Sequence, residues 1–301
     1  MQKVRSVRKV IKSTPTIEGA GVHLRRAFGF HEVPAFDPFL LLDDFHSQDP
    51  EDYIRGFPWH PHRGIETITY VLQGKVEHGD SMGNQGTIGS GDIQWMTAGS
   101  GIIHQEMPQG DESGRLWGFQ LWANLPASHK MMPPRYRDLK SAQIPVLSHG
   151  GARVRIICGE VGGERGPAHD LVIEPEYLDV EMKAHAQFRH PTKPGHTVFA
   201  YVAEGEGFFD QERNAYAHDV EGASYFDLAP KCSCGEGDLI LYEDGDQVMV
   251  TTEDAPVRFL LVSGRPIGEP VAWYGPIVMN TREELQAAFE EYQKGTFLKH
   301  R

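Results

Sequence analysis

The sequence predicts an all-β chain: two tandem barrels followed by one helix near the C-terminus. Three observations carry that prediction. The chain repeats itself. Gly64 to Gly74 reads GIETITYVLQG and Gly195 to Gly205 reads GHTVFAYVAEG, with Tyr-Val at the same place and glycine at both ends. Gly91-Asp92-Ile93 likewise matches Gly237-Asp238-Leu239, and Gly99 matches Gly245, so the second half repeats the plan of the first. Next, 33 glycines and 20 prolines in 301 residues break the apolar runs into short segments, as strands and turns require. Finally, a helical period stands out at the end. Thr281 and Glu284 have capping-box spacing, Leu285, Ala288, Phe289 and Tyr292 share one helical face, and Gly295 suits the stop.

The elements follow in order. The opening MQKVRSVRKVIKST is basic but lacks the apolar core of a secretory signal, and reads as a first strand. The first barrel is expected over residues 1–135 and the second, with the helix, over 136–301. A Pro-rich, polar stretch at 125–146 reads as the linker between them. The matched glycines stand 17 residues apart in the first repeat (74 to 91) and 32 in the second (205 to 237). The extra length, within 209–236, reads as a long hairpin or covering loop. It holds Cys232 and Cys234, which alone do not complete a metal site.

Composition narrows the function. A net charge of −13 argues against binding a nucleic-acid backbone, which needs a basic footprint. No apolar run approaches the roughly 20 residues of a membrane span. Three cysteines, with no CxxC pair, suit a reduced compartment, so a cytoplasmic protein is expected, or a nuclear one in a eukaryote.

The chemistry concentrates at His60, His62, His104 and Glu106. Two histidines alternate across Pro61, and 42 residues later a histidine and a glutamate alternate across Gln105. Alternate residues of a strand share a face, so each pair aims two side chains at one point. Two such strands meeting in a barrel offer three imidazoles and one carboxylate to a single ion. That donor set suits iron, manganese, nickel, copper or zinc. By parity Glu66 could also face the metal, although Pro61 and the Arg63-Gly64 step can break strand phase. Four protein ligands leave two octahedral positions open, whereas five leave one. The matching positions of the second repeat are Pro191, Lys193, Val250 and Thr252, which make no site. His185, His190, His196 and His218 lack the alternating spacing and read as ordinary surface or core histidines.

The glycines flanking these pairs resemble the two-part cupin motif, whose first part normally ends in a Glu, here Glu66, and whose second part supplies a histidine, here His104. The strings DPFLLLDDF at 37–45, GFPWHPHRG at 56–64, GDIQWMTAGSGIIHQEMP at 91–108 and EPVAWYGPIVMNT at 269–281 are similar to the pirin family. The resemblance implies two jelly-roll cupin barrels with one non-haem iron in the first, held by His60, His62, His104 and Glu106. Glu66 then orients a histidine from behind the ligands. It also implies one of two roles. The first is a quercetin 2,3-dioxygenase-type oxygenase. A flavonol and O2 would meet in a pocket lined by residues such as Trp95, Ile102 and Ile103, Glu106 would act as base, and the ring would open with release of carbon monoxide. The second is a redox-sensing iron protein that binds a transcription factor or a metabolic enzyme.

Overall fold

The computed structural model describes residues 2–224, 226 and 228–300. It is built from strands, as expected, and divides into two compact units whose boundaries differ from a single cut at 135. One unit comprises 15–141 with 267–301, and the other 1–14 with 142–266. The termini account for the difference. Strand Val7–Lys12 pairs antiparallel with Asp238–Tyr242 of the second repeat. At the other end, Ile277 bridges Arg63 and the Val278 N–H donates to the Arg63 carbonyl at 3.1 Å. The expected linker is also partly sheet, because Arg135–Leu139 pairs with Ile93–Thr97.

The unit holding 15–141 is a barrel of two facing sheets. Among the described residues, one sheet runs in the order Arg135–Leu139, Ile93–Thr97, Ile65–Gln73, Leu116–Asn124, Phe39–Ser47, Val22–Phe28, Thr14–Glu18. The other runs Phe57–His62, Ile102–Gln109, Lys75–Asp80, Gln85–Gly89. Nearly every residue of Phe39–Ser47 and Ile65–Gln73 is buried, as befits strands in the middle of a sheet. Helix Arg282–Gln293 starts at Thr281 with both halves of the capping box formed, and Gly295 follows it at φ +71°. Its Ala288, Leu285 and Phe289 pack on Ile277, Met279 and Ile103 of the same unit.

The second unit repeats the plan around a core that includes Val180, Phe188, Val248, Val250 and Phe259. Gln187–Pro191 pairs with Gln247–Thr251, as Phe57–His62 pairs with Ile102–Gln109 in the first. The 209–236 segment is not simply a loop. Phe209 is buried in that core, Asp219–Glu221 pairs with Val7–Lys12, and Cys234–Gly235 pairs with Thr197–Gly207. Tyr225 and Asp227 of that segment lie outside the described residues. Cys158, Cys232 and Cys234 form no disulfide among the described residues.

Candidate metal centre

Strand pairing builds the centre. In the register between Phe57–His62 and Ile102–Gln109, His60 stands opposite His104 and His62 opposite Ile102. His60, His62 and His104 therefore share a face, and their ligand atoms all lie within 4.8 Å of one another. Burial and the neighbouring imidazoles push His62 and His104 well below the usual histidine range, which keeps them neutral and able to ligate.

Two carbonyls fix the tautomers. His60 Nδ1 lies 2.8 Å from the Pro58 carbonyl, and His62 Nδ1 lies 3.0 Å from that of Pro276. A carbonyl only accepts, so each Nδ1 carries the proton and each Nε2 presents a lone pair. Those two Nε2 atoms face each other at 3.1 Å, where neither can donate to the other. His104 Nε2 is buried without a hydrogen-bond partner. Three convergent imidazole nitrogens left in this state fit a divalent transition-metal ion, with the Pro58 and Pro276 carbonyls orienting two of the rings from behind.

Glu106 follows His104 on the same strand and the same face, because that strand pairs regularly with Lys75–Asp80 and the register shift beside it lies in Phe57–His62. Its carboxylate is not part of the compact three-histidine group. Thr69 Oγ1 lies 2.8 Å from Glu106 Oε1, and burial raises the carboxyl above the usual range. The structure also places His78 directly opposite Glu106. The Tyr136 hydroxyl donates to Asp138 at 2.7 Å and lies 2.7 Å from His78 Nδ1.

A cavity of about 670 Å³ opens on the histidines. His60, His62, Thr69 and Glu106 face it, and Leu41, Phe45, Phe57, Leu116, Trp122 and Trp273 supply much of its apolar wall. The Trp122 ring meets that of His62 edge-on at 5.0 Å and lies 6.0 Å from Trp273. The Pirin family description matches residues 21–123, and that of the Pirin C-terminal cupin domain matches 177–298. The chain belongs to the pirin family. It is 44% identical over 296 residues to a pirin-like protein of Caulobacter vibrioides, covering 98% of this chain and 99% of that one. It is 39% identical over 300 residues to a Pseudomonas aeruginosa protein named for a proposed quercetin 2,3-dioxygenase activity, covering 98% and 99%. The crystal structure of a quercetin 2,3-dioxygenase from Acinetobacter baumannii superposes with a TM-score of 0.84 at 28% identity, covering 98% of this chain and 99% of that one.

Two sequence expectations about this pirin site need correction. Trp95, Ile102 and Ile103 do not line the cavity. Trp95 and Ile102 are buried in the barrel, and Ile103 packs on the C-terminal helix cluster. The cavity walls come instead from strands remote in sequence. Glu66 has no histidine partner either. Gly64, at φ +79°, turns the chain into the other sheet, where Glu66 stands opposite Thr97 and accepts its hydroxyl at 2.6 Å. The groups that orient the ligands are backbone carbonyls, which residue types do not announce. Trp122, Thr69 and Gln120 also escaped the sequence reading. Thr69 and Gln120 could have been noticed as polar residues inside otherwise apolar strands. In the second unit no histidine joins a three-ligand cluster among the described residues, and the buried His190 is held by Glu176 at 2.9 Å.

Proposed function

We propose that this pirin is a metal-dependent oxygenase that opens a flavonol ring in a quercetin 2,3-dioxygenase-type reaction, with iron as its resident metal. One observation carries the reading most: two imidazole lone pairs are locked toward each other at the floor of a large, mostly apolar cavity. His60, His62 and His104 hold the ion, and Glu106 is the candidate fourth donor. A divalent metal held there would supply Lewis acidity that lowers the pKa of a flavonol 3-hydroxyl. Glu106 takes the hydroxyl proton. Its carboxyl is raised by burial, so it holds a proton more strongly than an exposed carboxylate would. Thr69 steadies one Glu106 oxygen, while Trp122, Trp273 and Phe57 give the aromatic rings a surface with little competing water.

The test is the iron-loaded protein with quercetin in air, followed by loss of flavonol absorbance and by carbon monoxide release. Turnover that needs metal and fails in Glu106→Ala is the expected result. A fully loaded wild type that turns over no flavonol overturns the reading and leaves the redox-linked binding protein as the account to pursue.

A further inference from the structure

The cavity has a second polar end, away from the metal. Arg26 stands opposite Asp43 on neighbouring strands, Asp43 opposite Gln120, and Gln120 opposite Thr69. Residues in register share a face, so these four form one polar row across the sheet. All four line the cavity, as does Glu18. Adjacent strands lie about 4.8 Å apart, so Asp43 is about 10 Å from Thr69 and Arg26 is about 14 Å from it. Thr69 touches Glu106, so the row runs from the metal-site carboxylate to a charged group at the far end.

Charge decides what that end can bind. Arg26 is the one Arg or Lys among the described residues lining the cavity. Its Nε and Nη2 each lie 2.8 Å from Asp43 oxygens, and its Nη1 lies 2.9 Å from Glu18. Two carboxylates thus face one guanidinium, and the group repels a second anion. A guanidinium has five N–H donors, so some remain for a ligand, and the carboxylate oxygens have lone pairs to spare. A pair of adjacent hydroxyls suits both, donating to a carboxylate and accepting from the guanidinium. Asp43 is 5% exposed, so a ligand that leaves this end unmatched pays in desolvation.

We infer that Glu18, Arg26 and Asp43 form a far-end subsite that selects uncharged aromatic substrates bearing adjacent hydroxyls at the end remote from the reacting one. This rests on the oxygenase reading above. It assigns the pendant, dihydroxylated ring of a flavonol to the polar end and excludes small dianionic acids.

Binding to zinc-loaded protein, which cannot turn the ligand over, tests the inference by isothermal titration calorimetry. The ligands are quercetin and the analogue that lacks both pendant-ring hydroxyls. Wild type is expected to prefer quercetin by about tenfold or more. Glu18→Gln and Asp43→Asn should bring the two affinities together by weakening quercetin alone, with zinc retention against a chelator unchanged. Glu18 is partly exposed, so Glu18→Gln gives a readable result even if Asp43→Asn folds poorly. A wild-type ratio near one, or an undiminished ratio in Glu18→Gln, overturns the inference and leaves the oxygenase reading standing. Failure of both flavonols to bind overturns both readings.

Discussion

Replacing Gly64 by alanine tests whether the turn after the histidine pair supports the metal site. Gly64 sits at φ +79°, and a Cβ there would stand 1.9 Å from the Val278 carbonyl oxygen. The side chain cannot fit unless the strand Ile277–Met279 moves. That strand is held by the Val278 N–H to the Arg63 carbonyl at 3.1 Å, and by the Lys130 ammonium, which donates to Val278 O at 3.1 Å and to Gly64 O at 3.0 Å. The left-handed backbone costs an alanine about 1–2 kcal/mol. Losing the backbone bond adds about 1 kcal/mol, and weakening the ammonium bond about 1.5 kcal/mol more. Gly64→Ala should therefore cost about 4 kcal/mol. Gly195, its counterpart in the repeat, supplies the control. It has φ +75° and nothing within 4 Å of the added Cβ, so Gly195→Ala should cost only the backbone strain. Moving the strand also carries Pro276 away from His62 Nδ1, and loss of such an orienting partner typically weakens metal affinity about 10–100-fold. Urea unfolding and chelator competition on both variants are the assays. Equal costs for the two alanines, with unchanged metal affinity in Gly64→Ala, would refute the reasoning.

Three further outcomes are expected. His62→Ala and His104→Ala should abolish metal binding while His196→Ala leaves one ion per chain, read by metal analysis; two tightly held ions would reveal a second site. Glu106→Gln should lose metal clearly and Glu66→Gln only partly, because Glu66 is tied to Thr97 rather than to a ligand; chelator competition showing the reverse order overturns the assignment. Lys130 is 1% exposed, and burial holds its ammonium at about 8, below the unfolded value of about 10.4. Between those values the unfolded chain binds the extra proton, so this group makes stability rise with pH by about 3 kcal/mol across the window. Lys130→Met should lack that rise, and unfolding curves near pH 8 and pH 10 that climb equally in both proteins would refute it.

How far the sequence could see depended on what holds each part in place. The histidine pairs were legible because alternation is a property of strands, and the pairing that unites them is itself a strand register. The duplicated plan was legible for the same reason. In the second repeat the register puts Phe188, not the Pro191 that the sequence match gave, at the position of His60. Phe188 and Val250, opposite each other on the pair equivalent to the histidine-bearing strands, are both fully buried, so apolar core stands there. What escaped was whatever depends on backbone groups or on distant strands meeting. The carbonyls of Pro58 and Pro276 set the histidine tautomers, yet no residue type marks a carbonyl as an acceptor. Trp273 and Pro276, some 170 residues beyond the ligands in sequence, reach the site because Ile277 and Val278 dock on Arg63. This C-terminal segment thus lines the cavity and touches a candidate ligand. Gly64, whose φ of +79° ends one strand's alternation and starts another's, sends Glu66 to Thr97, whereas Glu106 keeps the alternation of His104 and reaches Thr69. Where a single glycine can reset the parity of a strand, counting by twos identifies ligands only up to that glycine. The Gly64→Ala measurement bears directly on that reset.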